Sequence, residues 1–264
     1  MSIHAVEDAT RPSQYSEAEW DARVQLACCY RLIDHFGLTD LVYNHITVRL
    51  PDDSHDFGKE IFLINGFGLH YSEITASNLI RVDMDGVAQD ESDYPVNGPG
   101  YVIHSAIHGA RHDVACIIHT HSLAGCAVSS MKQGLVPLDQ QSMMFHNRVT
   151  YHDLEGIATD LDEQSRLIED LGEKNAMILR NHGLLTVGRS VGEAFRRLYY
   201  LERACKLQVQ AMQSGAELLI PSDKVAEHTA HQWDHGLAQQ GTINPIEWPA
   251  LMRLMQRKDP SFMS

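Results

Sequence analysis

Positive charge is scarce in this chain: 21 lysines and arginines stand against 35 aspartates and glutamates, a formal net charge of −14 over 264 residues. That balance argues against a nucleic-acid or anionic-membrane surface as the main partner, because either would repel most of the molecule. Long apolar runs are missing too. None approaches the roughly 20 residues needed to span a bilayer, and Met1–Pro12 is polar, without the apolar centre of a secretory signal. Cysteine is sparse and odd in number: Cys28, Cys29, Cys116, Cys126 and Cys205 sit mostly inside apolar segments, not at disulfide or zinc-framework spacing. These absences point to a soluble, cytoplasmic protein with reduced thiols, whose natural partner is a small-molecule substrate.

No internal repeat or low-complexity linker divides the chain, and its length suits a single domain over residues 16–264, with 1–15 as a flexible amino-terminal segment and 216–264 as a carboxy-terminal extension. Ser16-Glu17-Ala18-Glu19 is a capping box opening a helix that Gly37 stops, and Ser190-Val191-Gly192-Glu193 opens a long helix running to about Met212. Leu41 to Leu50, Glu60 to Ile64 and Asn78 to Met84 read as strands; Pro95 to Gly100 reads as a loop and Tyr101 to Arg111 as a helix. The apolar run from Val114, Ala176 to Leu179, and Leu184 to Val187 read as further strands, and Glu163 to Leu171 as a helix. Strands interleaved with helices predict an α/β fold, a three-layer α/β/α sandwich.

Histidine is what the chain has in quantity, sixteen in all. Chance alone supplies about one His-x-His pair at that frequency, so His119-Thr120-His121 means little by spacing. Its context says more: it closes the run Val114–Ile118, and a second run, Ala176–Leu179, leads through Arg180-Asn181 into His182-Gly183. If the two runs are adjacent strands, alternation puts His119 and His121 on one face, where His182 completes three imidazoles with an open position. Two readings stand, a divalent-metal site or satisfied structural histidines. His104, His108 and His112 share a helical face, with His108 and His112 towards its polar side, and His228, His231 and His235 share another; the surface is the default for both sets.

Several blocks, in order, resemble the class II aldolase/adducin superfamily: Tyr43-Asn44-His45-Ile46-Thr47, Phe67-Gly68-Leu69-His70-Tyr71-Ser72-Glu73 with Thr75-Ala76-Ser77, His104-Ser105-Ala106-Ile107, Ile118-His119-Thr120-His121 and Arg180-Asn181-His182-Gly183. The match spans roughly Trp20 to Met212. It implies a mixed, largely antiparallel central sheet and a homo-oligomer, usually a tetramer, with sites between subunits. It also implies a divalent metal held by His119, His121 and His182, zinc foremost with Mn, Fe or Co as alternatives. Such an ion polarises a substrate carbonyl and stabilises the enolate left when a C–C bond breaks. Asn44, Thr47 and Gly68 correspond to the family's substrate-binding segments.

Two departures qualify the resemblance. Sugar-phosphate aldolases of the family, such as fuculose-phosphate aldolase, carry an acid four positions before the residue matching His104, where this chain has Gly100; Asn97, Gly98 and Pro99 replace the phosphate-binding serines. A substitute proton donor would come from Tyr101, His104, Gln141 or His146. The pattern comes nearest to the adducin head domain, but only Arg253, Arg257 and Lys258 lie near the end of this sequence, so the basic tail behind a cytoskeletal role is not expected. The expectation is a metal-dependent lyase acting on a small carboxylated or hydroxylated substrate, by retro-aldol cleavage or decarboxylation. The alternatives are a non-catalytic adducin-like binding module and a non-haem iron oxygenase.

Overall fold

A computed structural model describes residues 11–51, 60–156, 161–235 and 244–264. Its sheet has seven strands, β1 (His45–Arg49), β2 (Phe62–Ile64), β3 (Ile80–Val82), β4 (Cys116–Thr120), β5 (Val149–His152), β6 (Ala176–Leu179) and β7 (Gly183–Gly188). They are ordered β3-β2-β1-β4-β7-β6-β5, antiparallel throughout except for the parallel pair β5–β6. The helices are α1 (Glu17–His35), α2 (Gly98–Ala110), α3 (Leu123–Ser129), α4 (Leu161–Leu171), α5 (Val191–Gln213), α6 (Asp223–His235) and α7 (Glu247–Lys258).

Alternation along the strands builds the layers. Ile46, Ile118, Ile178 and Leu184 point to the face covered by α1, α5 and α7, where the largest core forms. Ile117, Met177, Leu185 and Val187 point the other way, against Ile103 and Ile107 of α2 and Leu167 and Leu171 of α4. The fold is therefore the expected α/β/α sandwich with a mixed, largely antiparallel sheet.

Local caps decide the boundaries. The Ser16 and Ser190 side chains accept from the Glu19 and Glu193 N–H groups, each at 3.1 Å, the N-cap half of the two expected capping boxes. The run expected as a loop, Pro95 to Gly100, instead contains the start of α2. Asn97 accepts from the Gly100 N–H at 3.3 Å, and Pro99 stands in the first turn, where its missing N–H costs nothing. The strand expected from Leu41 begins only at His45, because Leu41 adopts a left-handed φ of 48° in the preceding turn. Val114–Ile118 and Ala176–Leu179 are not neighbours: β7 lies between β4 and β6, since the tight β6–β7 turn folds the second run back before it meets the first.

Residues 1–10 of the expected flexible segment lie outside the described residues; Tyr15, at its other end, stacks on Trp20 with ring centroids 5.7 Å apart. At the carboxy end, Trp248 and Phe262 are fully buried in the large core, and Asp259 pairs with Arg31 of α1 at 2.7 Å.

Tyr30 ties α1 to the strand that opens the site. Its buried hydroxyl lies 2.7 Å from the Ile46 carbonyl and accepts the Ile46 N–H at 2.9 Å. Tyr30→Phe strands that N–H in a dry core, and urea denaturation should show a loss of about 1–3 kcal/mol; an unchanged midpoint would refute this role.

Candidate metal centre

The three imidazoles the sequence singles out do meet. His119 Nε2 lies 2.7 Å from His121 Nε2, which lies 2.9 Å from His182 Nε2, and one ligand atom from each falls within 4.8 Å of the others. They arrive from two pieces of backbone. His119 is on β4, with all five strand residues buried, and His121 follows one residue beyond the strand on the same face. Thr120, facing the other way, donates to Glu202 Oε1 of α5 at 2.9 Å, and Ser122 donates to Oε2 of the same carboxyl, whose pKa burial pushes up. That pair of bonds pins the strand end. His182 comes from the β6–β7 turn, where Asn181 takes a left-handed φ of 54°. The turn presses so closely on β4 that a Cβ at Gly183 would overlap the Thr120 carbonyl oxygen.

Hydrogen bonds on the far sides of two of the rings bear on what the site could hold. His119 Nδ1 is 2.9 Å from the Leu184 carbonyl, and His121 Nδ1 is 3.0 Å from the Asp40 carboxylate. Both partners only accept, so both Nδ1 atoms carry protons and, in the neutral rings, both Nε2 atoms are bare lone pairs. Lone pairs facing one another need positive charge between them. A single proton bridges two nitrogens, not three; a divalent cation serves all three, and imidazole nitrogen suits zinc and its neighbours. Burial, followed by the neighbouring histidines, lowers the pKa of His119 and brings that of His182 down to about 4, so both rings are neutral donors near pH 7.

A cavity of about 600 Å³ opens over the triad, lined also by Asp40, Tyr43, His45, Asn97 and Gly100. No lysine or arginine is among its described lining residues. The other residues singled out from sequence fall elsewhere. Tyr101 is buried beside β2 and β3 and donates its hydroxyl to the Asp83 carbonyl. Gln141 accepts from Arg203 at 2.8 Å, and His146 caps the 3-10 turn Ser142–Phe145; neither lines the cavity. Asn44 is buried and accepts from the Asp40 N–H at 2.9 Å, so it holds the loop that carries the carboxylate behind His121. Gly68, with φ 110°, adjoins Tyr94, while Phe67 beside it lines the cavity.

Thr47 and His104 are buried together one layer behind the cavity, 2.7 Å apart. His108, expected towards the polar side of its helix, is instead 1% exposed, stacked on Phe62 at 4.3 Å and 2.8 Å from Thr47 Oγ1, because the sheet beneath α2 offers a hydroxyl there. His112 remains outside, with its side chain half exposed. Sequence reasoning passes over Asp40 and His45. A signal for His45 is present all the same: His45 and Thr47, two apart on a strand, share a face just as His119 and His121 do.

Residues 24–209 match the family described as Class II Aldolase and Adducin N-terminal domain. The chain belongs to that family. A Pseudomonas aeruginosa protein, provisionally named an aldolase class 2 protein, is 46% identical over 264 residues, covering 99% of this chain and 98% of its own. Alpha-adducin of Rattus norvegicus is 41% identical over 254 residues, covering 91% of this chain but 34% of the adducin. Among solved structures, an aldolase II superfamily protein from Pseudomonas syringae superposes with a TM-score of 0.88 at 45% identity, covering 95% of this chain and 98% of that one. L-fuculose 1-phosphate aldolase from Glaciozyma antarctica PI12 superposes with a TM-score of 0.77 at 29% identity, covering 94% and 96%. Class II aldolase-family proteins are thus similar over nearly the whole of this chain.

Two measurements test the centre. Asp40→Ala removes the acceptor that orients His121, and zinc affinity measured by chelator competition should fall about 10–100-fold; unchanged affinity would show that the carboxylate plays no part. In the metal-free protein, burial holds His104 and His108 below their ordinary pKa of 6.5. Above pH 6.5 folded and unfolded chains are alike neutral at these positions; below it the unfolded chain takes up protons that the folded chain refuses. Stability in urea should therefore fall with acid below pH 6.5, by about 1.4 kcal/mol per pH unit for each histidine, and less steeply in His108→Phe. A flat profile from pH 7.5 to 5.5 would contradict the burial of neutral rings.

Proposed function

We propose that the protein is a metal-dependent carbon–carbon lyase that cleaves a small carboxylated or hydroxylated substrate by retro-aldol cleavage or decarboxylation. The observation that carries the reading is the convergence of two bare Nε2 atoms, fixed by Leu184 and Asp40, on a third from His182. His119, His121 and His182 would hold the ion, zinc foremost. When bound, it supplies Lewis-acid polarisation of a substrate carbonyl and so accommodates the electron pair left on the substrate as the bond breaks. The chain's own residues supply the rest: Asp40 holds His121 in the ligating tautomer, Leu184 does the same for His119, and Phe67, Val96 and Leu154 give the cavity apolar walls that limit water.

The lack of lysine and arginine in the described lining favours a substrate without a phosphate, in contrast to the substrate named for L-fuculose 1-phosphate aldolase. With Gly100 on α2 no carboxylate side chain projects from that position, which favours a bond-breaking step that makes little demand on a base. A homo-oligomer, by analogy with aldolases a tetramer, working in the cytoplasm completes the proposal. The second reading, an adducin-like binding module, draws on the 41% identity to alpha-adducin.

Elemental analysis of the purified protein separates the two. About one divalent ion per chain is expected in the wild type and under a tenth of that in His119→Ala, with turnover of 2-hydroxy and 2-keto acids lost in parallel and restored by zinc only in the wild type. Oxygen uptake with ferrous iron but not zinc would point to an oxygenase. A wild-type protein that takes up no metal would end the lyase reading and leave the binding module.

A further inference from the structure

Beside the triad, the sheet face beneath α2 carries a second run of imidazoles. His45 is the cross-strand register partner of His119, with ring centroids 5.1 Å apart. Its Nδ1 lies 3.0 Å from His104 Nε2; His104 Nδ1 lies 2.7 Å from Thr47 Oγ1; and Thr47 Oγ1 lies 2.8 Å from His108 Nε2. His45, Thr47, His104 and His108 are each at most 4% exposed.

Counting protons shows what this run does. Each neutral imidazole carries one proton and the hydroxyl carries one, four in all, and the three hydrogen bonds use three. His104, bonded at both nitrogens, must donate once and accept once, while the Thr47 hydroxyl can accept from both its neighbours or pass one proton on. The His45–His104 bond therefore runs one of two ways: when His45 Nδ1 donates, His45 Nε2 is a bare lone pair, and when Nδ1 accepts, Nε2 carries the proton. His108 Nδ1 is sealed in the interior without a hydrogen-bond partner. His45 Nε2 has no hydrogen-bond partner among the described residues either, but its ring lines the cavity over the triad. The Cδ2–Nε2 edge lies over Gly100, so closely that a Cβ there would overlap it. His45 is therefore held by its buried edge, aimed by its neighbours, and uncharged; its free nitrogen is a donor or an acceptor according to the direction of the His45–His104 bond.

We propose that His45 is a ligand-contacting residue of this site: its Nε2 hydrogen-bonds an oxygen of the molecule bound at the triad, from the Gly100 side. Thr47, through His104, is the residue that positions it. A nitrogen able to donate to a carbonyl or carboxylate oxygen and to accept from a hydroxyl suits an α-hydroxycarboxylate, which offers both. The inference rests on the metal-site reading of the three ligating histidines, and it makes Gly100 a requirement: only a residue without a side chain leaves room for the ring.

Cobalt(II)-loaded protein titrated with glycolate, the smallest α-hydroxycarboxylate, and followed by visible absorption reports metal and ligand separately. His45→Asn keeps a polar atom near the Nδ1 position and removes Nε2; it should weaken glycolate at least tenfold while cobalt affinity stays within threefold. Thr47→Val should give a smaller loss that Thr47→Ser restores, an outcome a merely structural role would not produce. Gly100→Ala keeps the imidazole but displaces it, and should weaken glycolate as His45→Asn does; its melting curve establishes that it is folded. Wild-type glycolate affinity in either a folded His45→Asn or a folded Gly100→Ala, with cobalt retained, overturns the proposal. Loss of cobalt in His45→Asn overturns it as well, by making His45 part of the metal site. Failure of the wild type to bind cobalt removes the metal-site reading itself.

Discussion

The register of β4 between β1 and β7 is the constraint on which the site depends. With His119 opposite Leu185 on one side and His45 on the other, the strand turns two imidazoles towards α2 and sends Thr120 to Glu202 on the opposite face. Side chains along a strand repeat every two residues, so a slip of one would bury the histidines against α5 and turn Thr120 into the cavity. The register is over-determined. Apolar residues fill both faces of β4, Gly183 packs its backbone against Thr120, and the Glu202 carboxyl takes hydroxyls from residues on either side of His121. Two elements, the end of β4 and the β6–β7 turn, therefore bring three imidazoles to one point with little freedom left in either, the kind of preorganisation that a metal site of the proposed type needs.

Burial decides the chemistry of those rings more than charge does. The molecule is strongly acidic overall, yet among the described residues one carboxylate, that of Asp40, is hydrogen-bonded to the triad, placed behind His121 and not among the converging nitrogens. Rings in dry surroundings stay neutral because charging them forfeits hydration. Neutral imidazoles then order themselves by simple rules of donation: a carbonyl behind His119 and a hydroxyl between His104 and His108. The same desolvation that suits His119 and His182 to bind a cation makes the second run a fixed polar device without charge.

Much of this is legible in the order of the residues alone. The capping boxes at Ser16 and Ser190, the apolar strands and the ordered histidine blocks point to the sandwich and to the triad. What stays hidden depends on partners far away along the chain. His45 reads as one letter of a motif because its meaning lies in its contacts with His104 and Gly100, 59 and 55 positions away. His108 falls on a polar helical face because amphipathicity weighs a histidine as polar, while the sheet supplies Thr47 and Phe62 to bury it. The short strand Val149–His152 carries only intermediate burial at three of its four positions and has no clean alternation to advertise it. Glycine and proline around Gly98 imitate a turn unless Asn97 is recognised as a cap.

Gly100, taken alone, reads as a loss: the acid that the resemblance to sugar-phosphate aldolases leads one to expect there is missing. Taken with His45 it is one half of a single steric choice. The volume beside the triad holds either a side chain projecting from α2 or an imidazole projecting from β1, and the overlap at Gly100 excludes both together. A carboxylate on a helix brings a negative charge and a flexible stem, whereas an imidazole held by the Thr47 relay brings a neutral group in a fixed orientation. With an ion held by the triad as proposed, the exchange would leave no negative side chain beside it and would substitute a dipole that can face either way. Such a centre suits oxygen ligands that themselves carry the negative charge, because a second anion at Gly100 would have repelled them.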